Sequence, residues 1–215
     1  MADLDFFFDP VCPWAWITSR WVVEVQGLRQ YDVRWRFISL KILNQNQQAD
    51  WYTAEYRRGH AAGHEALRVA AAVERDLGNA AVGALYTALG SIGHTGGRRD
   101  DFRDRTREVI LEALANSGID ARFADFMLDE SLDTVIAEST DLALTRTGRD
   151  VGTPILTFNP DAGEGAPTGS FFGPVIARIP RGEQALRLWD AVETLATTSG
   201  LAELKRTLRE RPQFD

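Results

Sequence analysis

The sequence predicts an α/β protein in which a βαβ unit and a ββα unit are separated by a long helical block. Three observations carry this. Leu4 to Phe8 is a short apolar run followed by a turn, a helical pattern and an alternating strand. The residues from Asn44 to Arg149 repeat with helical periodicity. A β signal returns at Ile155 and again at Ser170.

The first run, Leu-Asp-Phe-Phe-Phe, suits a strand buried on both faces. Asp9-Pro10 is a turn signal. Pro13 fits the first turn of a helix, where its missing N–H costs nothing. That helix is expected to run to about Gln26 and stop at Gly27. From Asp32 to Leu40, Val33, Trp35 and Phe37 alternate with Arg34, Arg36 and Ile38, which reads as a second strand. A helical crossover between two strands implies that they are parallel.

Within the helical block, His60 to Leu77 is rich in alanine and closes at Gly78. Phe102, Thr106, Val109, Ile110, Ala113 and Leu114 fall on one face of a helix that stops at Gly118. Leu132, Val135, Ile136, Leu142 and Ala143 suggest another, ending near Gly148. Ile155 to Phe158 and Ser170 to Gly173 are short strands around a loop, Asn159 to Gly165. A last helix places Ala185, Leu188, Trp189, Val192, Leu195 and Ala196 on one face. Strand–helix–strand plus strand–strand–helix is the thioredoxin arrangement. The expected organisation is a discontinuous thioredoxin-like domain, residues 1–43 and 150–215, with an inserted α-helical domain at 44–149.

Composition narrows the function. The 215 residues are 44% hydrophobic and 26% charged, ordinary for a globular protein. A net charge of −7 argues against nucleic acid as a partner. The N-terminus lacks the pattern of a signal peptide, and no apolar run approaches the ~18 residues of a membrane span. A cytoplasmic protein without a membrane partner is expected. One cysteine excludes a disulfide-stapled fold.

That cysteine, Cys12, stands in Phe8-Asp9-Pro10-Val11-Cys12-Pro13-Trp14-Ala15. The string resembles a thioredoxin-fold redox motif, Cys-x-x-Cys, with Ala15 in place of the second cysteine. At a helix N-terminus, free N–H groups and the macrodipole favour a thiolate, so a depressed Cys12 pKa is expected. Asp9 would oppose this if its carboxylate faces the sulfur. Thr153-Pro154 is a candidate cis-proline loop that would bring the Thr153 backbone beside Cys12. Trp14 is expected to be exposed, free to stack on a flat substrate, with Trp16 nearby. His94 lies in a glycine-rich stretch expected to be a flexible loop near the cleft. His60 and His64 have a chelating spacing but no third ligand, so they are read as a solvated helix face and no metal is expected. No dinucleotide fingerprint and no Ser–His–Asp arrangement is legible.

The chain resembles the DsbA-like, mycothiol-dependent nitroreductases of actinobacteria nearly end to end. The likeness is carried by Phe8 to Trp14, Trp16 to Trp21, Ser39 to Asn44, Glu55-Tyr56-Arg57, Asp150 to Pro154, Phe171 to Val175, Leu204 to Thr207 and Pro212 to Asp215. It implies a DsbA-like thioredoxin fold with an α-helical insertion over the active-site cleft. It implies reduction of small nitro or disulfide substrates with the low-molecular-weight thiol mycothiol as co-substrate, and no tightly bound cofactor. By the same resemblance Cys12 is the nucleophile in the motif Cys12-Pro13-Trp14-Ala15. Trp14, Asn44, Tyr56, Thr153 and Pro154 line the substrate and thiol site. Without a second cysteine, a mixed disulfide on Cys12 must be resolved by an external thiolate, a monothiol mechanism. Two alternatives stand beside it: a thiol S-transferase of the kappa glutathione-transferase type, and a degenerate thioredoxin domain that binds without catalysis. The aromatic residues of the insertion suit a homodimer interface as well as a lid.

Overall fold

The computed structural model describes residues 2–163 and 168–214. Strand β1 (Leu4–Phe8) is buried along its whole length, as its unbroken apolar character requires. It lies in a four-stranded sheet of order β2-β1-β3-β4, with β2 (Val33–Phe37), β3 (Ile155–Phe158) and β4 (Gly169–Phe172). β1 pairs parallel with β2 and antiparallel with β3, and β3 pairs antiparallel with β4. The parallel pair is joined by helix α1 (Pro13–Leu28), with Pro13 in its first turn. Helix α8 (Gly182–Thr197) closes the ββα unit and packs on α1, where the Trp21 indole donates to the Ala185 carbonyl at 3.0 Å.

Between β2 and β3 lie α2 (Leu40–Leu43), α3 (Ala54–Leu77), α4 (Asn79–Gly90), α5 (Arg99–Asp104), α6 (Thr106–Asn116) and α7 (Asp133–Thr147). A π-helical turn, Ser91–Thr95, follows α4, and 3-10 segments precede α7. The sheet is covered on both faces. On one, Phe6, Phe8, Trp35 and Phe158 meet Trp21, Trp189 and Tyr86. On the other, Phe7, Ile38 and Ile155 meet Ala143 of α7. Asp5, also buried in β1, is held by Arg34, Arg36 and Arg146.

Several boundaries differ from expectation. α1 runs through Gly27 and ends only where Arg29 turns extended (φ −133°). Glycine ends a helix by adopting a left-handed backbone, and Gly27 does not do so, whereas Gly78, Gly118 and Gly148 do. The helix expected through Phe102 and Leu114 is broken at Arg105, whose φ of −138° leaves the helical range, so it becomes α5 and α6. β2 is shorter than its alternation because Ser39 caps α2, accepting from the Ile42 N–H. The stretch around His94 is no loop: it forms the π-helical turn and His94 is buried. His60 and His64 are likewise buried rather than solvated, because α3 crosses the centre of the helical block and has no free face at these positions. Of the loop expected at 159–165, Glu164 and Gly165 lie outside the described residues, as does Asp215 of the C-terminal string. No helix is long and apolar enough to cross a membrane among the described residues.

Candidate active site

The site forms where β1 hands over to α1. The turn is closed by the Cys12 N–H donating to the Asp9 carbonyl at 3.0 Å. Cys12 is the N-cap residue of α1, with an extended backbone (φ −80°, ψ 113°). Its Sγ accepts from the Ala15 N–H at 3.4 Å, filling one of the unpaired donors at a helix start. The same sulfur donates to the Thr153 carbonyl at 3.5 Å, across a separation of 141 residues. The Thr153–Pro154 peptide is cis, and the Thr153 hydroxyl donates to Phe7 in β1. The Pro154 carbonyl accepts from Gly173, which ties this loop to β4.

The Asp9 carboxylate anchors the loop from below. One oxygen accepts from Val11 at 3.0 Å and the other from Leu40, at the start of α2, at 2.8 Å. Gly63 of α3 sits against this turn so closely that a Cβ there would lie 2.6 Å from Asp9 Oδ1. His94 Nε2 donates to the Pro10 carbonyl at 2.9 Å, which fixes the tautomer and leaves Nδ1 bare and buried. Its ring stacks on Trp16, with centroids 6.0 Å apart.

The electrostatics reverse the expected pKa of Cys12. Burial pushes the thiol up from 9.0 to about 12, and the Asp9 charge adds to this. The hydrogen bonds from the Ala15 and Trp14 N–H groups pull the other way, and so does exposed Arg99, but they do not prevail. The helix terminus is present as expected. What the sequence could not show is that Cys12 is only 5% exposed, so withdrawal of solvent outweighs the helix. Burial also raises Asp9 to about 7, against its two backbone donors, and lowers His94 to about 4.

Pro13 and Trp14 occupy the first turn of α1, and Ala15 is fully buried. Trp14 is half-buried against the core rather than exposed, and Trp16 is buried. Asn44 caps α2, its amide spent on the Leu40 carbonyl at 2.9 Å, and so reaches the Cys12 loop only through the Leu40–Asp9 bond. Tyr56, in the first turn of α3, is 53% exposed and meets Trp51 and His60 edge-on. Neither Asn44 nor Tyr56 makes a hydrogen bond or ring contact with residues 9–15 among the described residues.

One arrangement was not legible in sequence. His64 Nδ1 meets Ser39 Oγ at 2.9 Å and Nε2 meets Asp133 at 3.0 Å, with Arg68 clamping the same carboxylate. Ser39 is fully buried, and this Ser–His–Asp chain joins α2, α3 and α7. Its members come from three separated segments, which no local motif reveals. Among the described residues, no cluster of three or more His, Cys, Asp or Glu side chains could hold a metal ion.

Residues 11–206 match the family described as Rv2466c-like, mycothiol-dependent nitroreductase Rv2466c. The uncharacterised protein Rv2286c of Mycobacterium tuberculosis is 28% identical over 209 residues, 96% of this chain and 82% of its own length. The cytosolic disulfide reductase DsbM of Pseudomonas aeruginosa superimposes with a TM-score of 0.52 at 21% identity, over 78% of this chain and 88% of DsbM. Its structure with GSH gives 0.51 at 20% identity, over 73% and 85%. The likeness to these structures establishes the fold: DsbA-like thioredoxin with a large helical insertion.

Proposed function

This chain belongs to the Rv2466c-like family of mycothiol-dependent nitroreductases, and from that premise we propose that it is a monothiol oxidoreductase acting through Cys12. Thiol oxidoreduction is the chemistry of the family. The monothiol cycle and the substrates are our reading. The observation that carries it is the position of the lone sulfur, at the cap of α1 and 3.5 Å from the Thr153 carbonyl. A disulfide substrate entering there would meet the Cys12 sulfur and the Thr153 backbone together.

The cycle balances without a second protein thiol. Cys12 loses its proton and attacks the mycothiol sulfur of a small mixed disulfide, RS–SM, forming Cys12–S–SM and releasing RSH. A second mycothiol attacks that bond, regenerates the Cys12 thiol and leaves as mycothiol disulfide. The net reaction is RS–SM + MSH → RSH + MSSM. Small nitro compounds are the other substrate class, two mycothiols supplying two electrons and two protons for each two-electron step.

The resting thiol is protonated, since burial holds its pKa near 12. Burial is the largest cause, so a polar substrate that hydrates the cleft removes it and leaves the Ala15 and Trp14 donors to stabilise the thiolate. Residues 1–43 and 150–215 then form the thioredoxin-like domain, and 44–149 form a helical domain over it. By the family resemblance we assign Trp14, Asn44, Tyr56 and Pro154 to the substrate cleft, with Trp14 and Pro154 in the two segments that meet at the sulfur and Asn44 and Tyr56 farther out, in a cytoplasmic protein. The raised thiol pKa also favours a second reading. In a transferase of the kappa glutathione-transferase type the protein would activate a bound mycothiol and form no bond to Cys12.

Intact mass separates these. The protein is exposed to mycothiol disulfide, then to excess mycothiol, with Cys12→Ser as control. One mycothiol adduct that forms only with Cys12 and is lost in the second step supports the monothiol cycle. No adduct, with mycothiol still bound, supports the transferase.

A further inference from the structure

A groove beside α1 avoids the sulfur. A cavity of about 570 Å³ opens between α1, the π-helical turn and the C-terminal segment, and neither Cys12 nor Pro154 lines it. Buried Trp16 lies at its floor beneath Arg20, Phe214 and Val23 give it apolar edges, and Arg20, Arg181 and Glu24 its charges.

These charges do not cancel. Glu24 is fully committed: one oxygen accepts from Arg181 at 3.0 Å and the other from the Gly182 N–H at 3.0 Å. Arg20 has no carboxylate partner among the described residues. Its Nη1 donates to the Thr87 hydroxyl and its Nε to the Ser19 hydroxyl, both neutral. Its Nη2 is buried without an acceptor among the described residues. The guanidinium lies over the Trp16 ring, 4.1 Å from the centroid. Burial and the neighbouring Arg181 charge lower the Arg20 pKa to about 10, and two neutral hydroxyls and the Trp16 ring offset this cost without a carboxylate among the described residues. Buried polar atoms left unpaired in a native fold ordinarily mark a missing water, ion or ligand.

We propose that this groove binds a small molecule bearing a carboxylate on an aromatic or apolar body, at a site separate from the Cys12 cleft. The anion neutralises Arg20 and, after a small rotation of the guanidinium, gives Nη2 its acceptor. The apolar body lies against Phe214 and Val23. A neutral analogue of the same shape gains the apolar contact but leaves the cation uncompensated.

The probe is 4-(trifluoromethyl)benzoate, followed by fluorine NMR relaxation, with 4-(trifluoromethyl)benzamide as its neutral counterpart. The benzoate is expected to bind at least tenfold more tightly than the amide. Arg20→Gln should lose at least tenfold, and Arg20→Lys less. Because Arg20 is half-buried, Val23→Glu provides a second variant. Val23 is 38% exposed, so a carboxylate there adds repulsion to the groove without disturbing the core. It should also weaken the benzoate and leave the amide unchanged. Cys12→Ser should bind the benzoate as the unaltered protein does. The proposal is overturned if benzoate and amide bind within twofold of each other, or if folded Arg20→Gln and Val23→Glu keep full affinity. Displacement of the benzoate by mycothiol disulfide also overturns it, because the probe would then sit in the thiol cleft. Failure of the Cys12 mass experiment leaves these outcomes unaffected, so the two readings fail separately.

Discussion

At neutral pH, Cys12 of the folded protein should attack 4,4′-dithiodipyridine about 30- to 60-fold more slowly than the same thiol in the unfolded chain. The magnitude follows from the shift of its pKa from 9.0 to about 12. Three units reduce the thiolate fraction at pH 7 by about 1000-fold. A more basic thiolate is a better nucleophile, and a Brønsted coefficient of ~0.4–0.5 returns about 15- to 30-fold of that loss. Stopped-flow absorbance between pH 6 and 10.5 measures the rate directly. In the folded protein the logarithm of the rate should still rise with unit slope at pH 10.5, where an ordinary thiol has levelled off. Asp9→Asn removes a charge that raises the Cys12 pKa, so at pH 9 the variant should react faster than the parent. A plateau at or below pH 9 would refute the reasoning, because it would mean that the helix terminus and not burial governs the sulfur.

Three further predictions concern the frame of the site. Ala15→Cys places a second thiol in the first turn of α1, beside the N–H that already reaches Cys12 Sγ at 3.4 Å. Mild oxidation should remove two mass units, and the mycothiol adduct of the variant should be short-lived in mass spectra; an adduct as durable as the parent's would contradict this. Gly90→Ala drives a methyl into the Trp16 indole and should cost about 1–3 kcal/mol in urea unfolding. Gly59→Ala, in the same helical block but with open space around its Cβ position, should instead gain about 0.5–1 kcal/mol. Acidification from pH 6.5 to 4 should destabilise the protein. His60 and His94 are each lowered to about 4, so the unfolded state takes up protons first and stability is lost as pH falls through that window. His94 contributes about 3 kcal/mol on this basis, and His94→Gln, which can still donate to the Pro10 carbonyl, should lose correspondingly less between the two pH values. Asp9 acts in the opposite sense. Its raised pKa means stability falls as pH rises from 3.8 towards 7.

Local pattern alone gave the succession of elements along the chain. Leu4 to Phe8 suits a strand buried on both sides, and the alternation after Asp32 with a helix between implies a parallel neighbour, as the structure has them. Pro13 set the start of α1, and with it the cap position of Cys12. These are local matters of periodicity and backbone freedom, which neighbouring residues settle among themselves. The meeting of Cys12 with Thr153 was anticipated only because two distant strings belonged to one pattern; no spacing rule joins residues 141 apart. Tertiary structure alone decided the energetics. Whether a helix terminus faces water or the core is fixed by what covers it, and here α3 and the π-helical turn pack on the turn that carries Cys12 while the cis-proline loop meets its sulfur, and burial raises its pKa instead of lowering it. The same cause buried His60, His64 and His94, and it left Arg20 beside a groove with no carboxylate among the described residues to answer it. Burial and charge pairing are sums over every neighbour in space, and a linear sequence names those neighbours only after the chain has folded.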